Sequence, residues 1–260
     1  MNRIDRTFEQ LQEKKEKALI CFVTAGDPDL ETTEQLIPAM FDAGADLIEL
    51  GVPFSDPVAE GPTIQKASQR ALDGGATLPK IFELVRRVRK NTEKPILLML
   101  YLNSIYGFGK DRFFSLCQEC GVDGVIVPDM PFEEHDEIQQ EADRAGVYSI
   151  SMVAPTSHGR IAKIASQAQG FLYCVSSTGV TGTRSSFNTD FQSFFGLIRA
   201  HAKVPCAVGF GISGPEQAGK MAEYCDGVIV GSALVNLIER DGKNAVKPVS
   251  EFVQSLKQAL

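Results

Sequence analysis

The strongest constraint on the fold is a set of short apolar runs that recur along the whole chain. Each run has four to seven residues, is bounded by turn residues, and is apolar almost throughout instead of alternating with polar residues. Such runs are typical of strands buried on both faces of a parallel sheet. The eight runs are residues 18–24, 45–50, 95–101, 124–128, 148–154, 171–175, 204–210 and 227–230.

Helical patterns separate the runs, such as TTEQLIPAMFDAG after the first and DEIQQEADRAG after the fourth. Eight strand–helix repeats in about 250 residues predict an α/β fold, a single-domain (β/α)8 or TIM barrel over residues 1–260. A doubly wound open sheet is the main alternative, but no G-x-G-x-x-G follows the first run. Ile4, Phe8 and Leu11 recur at helical spacing and predict an extra N-terminal helix.

Two connections are longer than simple strand-to-helix loops. One covers residues 52–65 after the second strand, and the other covers residues 177–190 after the sixth. Long loops within a compact barrel are usually binding loops or lids. We therefore expect both to border a binding site.

Composition excludes several classes of function. Among 260 residues the net charge is −7, and the one dense basic run, RRVRK at 86–90, alternates with apolar residues as a solvated helix face does. This charge argues against nucleic-acid binding. No apolar stretch approaches the roughly 20 residues that cross a bilayer, and the first residues lack a secretory apolar segment. We expect no membrane association and a cytoplasmic location.

The six cysteines are spread through predicted core elements and are expected to be reduced. Cys117-x-x-Cys120 resembles half of a zinc site or a redox pair. No second pair lies at ligand spacing, and the three histidines are far apart in sequence. A structural helix position is the better interpretation, and no metal is expected.

Glu49 is the best candidate for a catalytic group, because active sites of such barrels lie at the carboxyl ends of the strands. It lies near the end of the second run and shares strand parity with Leu47, which predicts a side chain directed into the barrel. Desolvation would raise its pKa and suit it to acid and base work near neutral pH. The alternative is a structural glutamate bonded to a neighbouring strand.

Glycine-bearing segments after strands six, seven and eight predict a phosphate site. They contain Gly182, Gly211 within GFGIS, and Gly231 within GSALVNLI, where Ser232 is expected to cap a short helix. Backbone donors and the helix dipole of such loops bind phosphate in many barrels. An acidic protein can thus bind an anionic ester without a basic patch.

Four aromatic residues are predicted at the ends of strands on the same rim. They are Phe22 on the first strand, Tyr101 on the third, Tyr173 on the sixth and Phe210 on the seventh. Each alone is more often a core residue than a ligand contact. Together they indicate a slot for a planar apolar ring.

The motifs ELGVPFSDP, GVDGVIVPDMP, YCVSSTGVTGTR, VGFGIS and VIVGSA closely resemble those of the tryptophan synthase alpha subunit. They occur in order over most of the chain. The resemblance implies a retro-aldol cleavage of indole-3-glycerol phosphate to indole and glyceraldehyde 3-phosphate. It also implies docking on a beta subunit in an αββα heterotetramer, with pyridoxal phosphate in the beta subunit and no cofactor in this chain.

The resemblance also implies roles for individual residues. Glu49 matches the acid–base group that protonates the ring carbon, and Asp56 lies in the loop that faces the beta subunit. Thr181 matches a threonine of the lid. The substrate-pocket positions are Phe22, Tyr101, Tyr173 and Phe210, and the phosphate cradle comprises Gly182, Gly211, Gly231 and Ser232.

The sequence departs from the family at the second catalytic carboxylate. The family pattern SDPLADGPT has an aspartate where this chain has Glu60, in SDPVAEGPT. Displacement of a catalytic group by about 1 Å can cost ~100-fold in rate. We expect Glu60 to keep the role, with the loop adjusting its backbone. The alternatives are a catalytically weakened subunit that mainly binds and activates a beta subunit, another phosphate-binding barrel enzyme acting on a related indole or anthranilate phosphate, and a metabolite-binding module.

Overall fold

The computed structural model describes residues 1–175, 190–209 and 211–260. Within them, the apolar runs form nine parallel strands of one sheet. These are β1 (Ala18–Thr24), β2 (Leu47–Gly51), β3 (Ile96–Met99), β4 (Gly124–Ile126), β5 (Tyr148–Ser149), β6 (Met152–Val153), β7 (Leu172–Val175), β8 (Cys206–Gly209) and β9 (Gly227–Val230).

The sheet closes on itself through the fifth predicted run. Its order is β5-β4-β3-β2-β1-β9-β8-β7-β6, so the two outermost strands are the two halves of that run. Between them, the Ile150 N–H donates to the Val125 carbonyl on one side at 2.9 Å, and the Ser151 carbonyl accepts from the Tyr173 N–H on the other at 3.0 Å. The eight runs therefore form eight positions around a barrel. The predicted (β/α)8 barrel is confirmed.

Helices follow the strands and surround the barrel. Those in the described part of the chain are α1 (Arg3–Lys14), α2 (Leu30–Asp42), α3 (Pro62–Asp73), α4 (Leu78–Arg89), α5 (Leu102–Phe108), α6 (Lys110–Cys120), α7 (Asp136–Ala145), α8 (Ile161–Gln167), α9 (Phe191–His201), α10 (Pro215–Ala222), α11 (Ser232–Asp241) and α12 (Val246–Gln258).

The predicted N-terminal helix is α1, and it covers the amino-terminal end of the barrel. Asn2 and Asp5 form a capping box that fixes its start. Ile4, Phe8 and Leu11 are buried against the inward-facing residues of the strands. Because α1 covers this end, and active sites of such barrels lie at the opposite one, the carboxyl ends of the strands are the expected place for a site.

The connection after β2 is shorter than predicted. Helix α3 starts at Pro62, with Gly61 in an extended conformation before it, so the loop covers residues 52–61. Proline at the first helical position is favoured because its missing N–H and fixed φ suit the start of a helix. The connection predicted at 177–190 lies outside the described residues, apart from Asp190, which caps α9 through a hydrogen bond from the Ser193 N–H at 3.2 Å.

Cys117 and Cys120 lie on the buried side of α6 as free thiols, as a structural interpretation requires. Over residues 1–175, 190–209 and 211–260, no group of three or more potential ligands is placed to hold a metal ion. No helix in those ranges has the length and apolar character needed to cross a membrane.

Candidate active site

Glu49 is the most deeply buried carboxyl group at the carboxyl ends of the strands. It is paired in register with Phe22 of β1 and Leu97 of β3, and its side chain is fully buried. Neither carboxyl oxygen has a hydrogen-bond partner among the described residues. Burial raises its pKa to about 8, so the group is mainly protonated at neutral pH. A structural glutamate would be bonded to a neighbouring strand, so the absence of a described partner favours a chemical role.

Two buried aromatic rings lie beside this carboxyl group. Phe22 projects from β1, and a Cβ atom added at Gly51 would lie only 2.5 Å from its Cζ atom. Tyr173 projects from β7, and a Cβ added at Gly209 would lie 2.6 Å from its hydroxyl oxygen. The glycines therefore leave the space that the rings occupy. Burial, and to a lesser degree the charge of Glu49, raises the pKa of Tyr173, which keeps its phenol protonated.

Glu60 is another buried acid near this end of the barrel and lies one residue before the end of the loop at residues 52–61. Its side chain is 9% exposed, and Oε2 has no partner among the described residues. Burial raises its pKa to about 7. Asp56 and Val58 of the same loop are exposed, and Val58 is 76% so. The loop thus presents Glu60 to the interior and Asp56 to the surface.

Tyr101 lies just beyond the strand on which it was predicted. Strand β3 ends at Met99, and Tyr101 is the residue before α5. Its ring stacks on Phe54, with centroids 5.0 Å apart and planes at 23°. Its hydroxyl oxygen accepts a 3.0 Å hydrogen bond from the Ala59 N–H, and burial raises the pKa of the phenol to about 12. Tyr101 therefore fastens the loop at 52–61 to the barrel rim.

The predicted capping role of Ser232 is wrong. Gly231 takes the capping position, and Ser232 is the first residue of α11, with no side-chain capping bond. A Cβ at Gly231 would lie 3.3 Å from Phe22, which explains a glycine where the strand turns into the helix. The first N–H groups of a helix lack helical acceptors. Gly211 is buried with φ +85°, which favours glycine.

Three predicted site residues lie outside the described residues, namely Thr181, Gly182 and Phe210. The structure also reveals a contact that the sequence did not suggest. The side-chain amide of Gln65, on the first turn of α3, donates to the Glu60 carbonyl oxygen at 2.8 Å. An exposed glutamine near a helix start carries no distinctive sequence signal.

The closed parallel barrel carries two buried acids, Glu49 and Glu60, with carboxyl oxygens that lack described partners at the carboxyl ends of its strands. This arrangement defines the class: a barrel enzyme suited to acid–base chemistry. The model of one family, described as tryptophan synthase alpha chain, matches residues 8–260. This chain belongs to the tryptophan synthase alpha chain family.

Individual relatives agree with this assignment. The tryptophan synthase alpha chain of Thermoanaerobacter sp. (strain X514) is 47% identical, with all of both chains covered. That of Geotalea daltonii is 52% identical, over 100% of this chain and 99% of the relative. The structure of tryptophan synthase subunit alpha from Legionella pneumophila superposes with a TM-score of 0.89 at 38% identity, over 100% of this chain and 98% of that one.

The family defines the reaction. The alpha chain is the lyase of tryptophan biosynthesis that cleaves indole-3-glycerol phosphate to indole and glyceraldehyde 3-phosphate, as the sequence predicted. The comparisons give no support to the alternative of a weakened subunit. One further structural neighbour is the tryptophan synthase complex of Pyrococcus furiosus, with a TM-score of 0.83 at 34% identity, over 93% of this chain and 98% of that one.

Proposed function

We propose that Glu49 is the general acid and base of this cleavage and that Glu60 is the second catalytic carboxylate. The observation that carries the proposal is the pair of buried acids at one end of the barrel, with Glu49 and the Oε2 atom of Glu60 lacking described partners. Burial without a partner costs stability. A substrate that fills the barrel mouth would supply the missing partners.

The protonation states suit the two steps of a retro-aldol reaction. Protonated Glu49 donates its proton to the ring carbon that bears the glycerol chain, and the positive charge that develops on the ring nitrogen is stabilised by an N–H hydrogen bond to ionised Glu60. The Glu49 carboxylate then removes the proton of the adjacent side-chain hydroxyl. The carbon–carbon bond breaks, its electrons restore the indole ring, and the aldehyde leaves.

The rest of the site would hold the two ends of the substrate. We place the indole ring against Phe22 and Tyr173, with Tyr101 and Phe210 completing the slot, because flat apolar rings pack well on aromatic side chains. We place the phosphate against Gly211, Gly231 and Ser232 at the start of α11, with Gly182 contributing to the cradle and Thr181 to the lid.

We further propose that the chain is one domain and works in the cytoplasm with a beta subunit, in an αββα heterotetramer. The pyridoxal phosphate of that assembly would belong to the beta subunit, and this chain would need no cofactor. Asp56 is exposed on the loop that carries Glu60. A partner bound to that loop would alter the position of the catalytic carboxylate and thereby the rate.

The deciding experiment measures indole release from indole-3-glycerol phosphate, with and without a cognate beta subunit, for the parent and Glu49→Gln. We expect release by the parent that rises with the partner and falls by at least about 100-fold in the variant. Because burial raises the pKa of Glu49, this carboxyl group lowers the free energy of unfolding as the pH rises above about 4.5. Glu49→Gln removes this loss. The variant should therefore melt no lower than the parent at pH 7.5, and undiminished activity in a folded variant would overturn the assignment.

The role of Glu60 is tested by two substitutions of different chemistry. Glu60→Gln keeps the shape and removes the charge, and we expect a loss of about 10- to 1,000-fold in kcat. Glu60→Asp keeps the charge and should be tolerated far better. Equal activity of Glu60→Gln and the parent in the same indole assay would rule out the role.

A further inference from the structure

The backbone around Glu60 is held by side chains from two different elements. On one side, the Tyr101 hydroxyl accepts the Ala59 N–H at 3.0 Å; on the other, the Gln65 amide donates to the Glu60 carbonyl at 2.8 Å. These bonds fix the two residues on which the direction of the Glu60 side chain depends. We call Tyr101 and Gln65 the Glu60 clamp.

We propose that Tyr101 and Gln65 are positioning residues for Glu60: they set the orientation of its carboxyl group without needing to touch the reacting atoms. The proposal rests on the role of Glu60 given above. For Tyr101 it adds a second contribution to the proposed wall of the ring slot, because its hydroxyl anchors the loop that carries the second acid.

The geometry of Tyr101 supports an anchor. Its side chain is 2% exposed and its ring is stacked on Phe54 of the same loop, so the ring and the hydroxyl bind two points five residues apart. A buried, stacked ring has few other orientations. The hydroxyl oxygen is therefore a fixed acceptor, and the Ala59 N–H that it binds is fixed with it.

Gln65 supplies the other half of the clamp from α3. Its own N–H donates to the Gly61 carbonyl at 3.0 Å, the regular helical bond, while its side chain reaches back past the helix start to the Glu60 carbonyl. Gly61 provides no side chain to cap this helix. The Gln65 amide thus joins the last loop residue before the cap to a rigid helix.

The extra methylene of Glu60 makes such a clamp more important here than with an aspartate. A longer side chain converts the same tilt of the peptide into a larger displacement of its carboxyl group, and it has one more rotatable bond. Oε2 has no described partner to correct the error. Displacing a catalytic group by about 1 Å can lower the rate ~100-fold.

The test is a set of substitutions in this chain, assembled with a cognate beta subunit and assayed by indole release. Tyr101→Phe removes only the hydroxyl, and Gln65→Met keeps the length of the chain without the amide. We expect each to lower kcat by about 10-fold with KM changed less than about 3-fold, because the lost contact orients a catalytic group and does not bind substrate.

The decisive comparison repeats both substitutions in a Glu60→Gln background. If the clamp acts through Glu60, each should lower the residual kcat by less than about 2-fold there, since the group that it orients is already disabled. Equal fold losses in both backgrounds would overturn the proposal and show an independent contribution. No loss in the parent background would overturn it as well.

Two matched controls test whether removing the same chemical group away from Glu60 also lowers kcat. Gln69→Met removes an amide that bonds Asp73 on the exposed side of α3, and Tyr148→Phe removes a hydroxyl that bonds Asp5 at the opposite end of the barrel. Both should leave kcat within about 2-fold. Failure of the underlying function is recognised separately: the parent would then release no indole, or Glu60→Gln would equal the parent.

Discussion

At the scale of single residues, Glu49 and Glu60 differ in how far burial raises their pKa values. Glu49 is fully enclosed and its pKa is raised to about 8, whereas Glu60 is less enclosed and its pKa is raised to about 7. The proposed mechanism needs Glu49 protonated and Glu60 ionised. Only between these two values are both groups largely in the required state.

We therefore predict a narrow bell-shaped dependence of kcat/KM on pH. The rate should rise through about 7 as Glu60 loses its proton and fall through about 8 as Glu49 loses its own. A pH series of indole release on the assembled enzyme measures this. Glu60→Gln should abolish the rising limb and keep the falling one, and a profile that is flat from pH 6 to 9 would contradict the prediction.

Sequence was sufficient to predict the position of a residue at the end of a strand. Glu49 was predicted because active sites of such barrels lie at the carboxyl ends of the strands, and the structure places it there, fully buried. The role of Glu60 was predicted through family resemblance and stays a prediction. The clamp residue Gln65 was missed, because its hydrogen bond depends on the path of the loop. Ser232 was misplaced as a cap because the helix begins one residue before a composition-based boundary would put it.

At the scale of elements, one arginine joins three parts of the rim. Arg70 of α3 binds Asp27, in the loop after β1, through two 2.8 Å bonds, and binds Glu239 of α11 at 3.1 Å. Asp27 is 1% exposed. Two parallel bonds from a guanidinium to a carboxylate fix both distance and plane. The arginine thereby fixes α3, the helix that begins directly after the Glu60 loop.

Loss of this contact should be costly. Arg70→Met leaves Asp27 buried without its cation, and we predict a loss of about 3 kcal/mol in the free energy of unfolding, measured by urea denaturation. Arg86→Met is the control, since Arg86 is exposed and lies 3.8 Å from Glu119, and it should change stability by less than about 1 kcal/mol. Equal losses of unfolding free energy in the two variants would show that the buried Arg70–Asp27 pair contributes no more than an exposed pair.

Most elements were predictable because uniformly apolar runs identify buried strands. The interruption of the fifth run was not, since residues 148–154 include two serines but no glycine or proline that would mark a break. Its two halves pair with opposite neighbours, which is a consequence of closing the ring and is not encoded in any one segment. The earlier start of α3, in contrast, was available from the Gly61–Pro62 dipeptide.

At the scale of the whole molecule, the two ends of the barrel differ in what fills them. The amino-terminal end is packed by α1, where Phe8 lies 5.7 Å from Phe171 between ring centroids. The carboxyl end holds the acids and glycines. Separation of this kind lets stability and chemistry change independently.

Substitution at the packed end should therefore affect folding alone. We predict that Phe8→Ala lowers the free energy of unfolding by about 3 kcal/mol because it opens a cavity under the barrel. KM and kcat should stay within about 2-fold when assayed well below the melting temperature. Leu197→Ala, at a side chain 38% exposed, is the control for both measurements. A selective loss of kcat in Phe8→Ala would show that the two ends are coupled.

Closure of the sheet also determines where the molecule opens first. In the described part of the chain every strand has a neighbour on each side or is completed by its other half, so unfolding cannot start from a free edge. The shortest strands are at the fifth position of the barrel, where β5 and β6 have two residues each. Spontaneous opening would begin there and would expose the edges of β4 and β7 to solvent and to other chains. Amide hydrogens at residues 148–153 should accordingly exchange faster than those of β1 and β2, and opening at this position would expose strand edges that can pair with another chain.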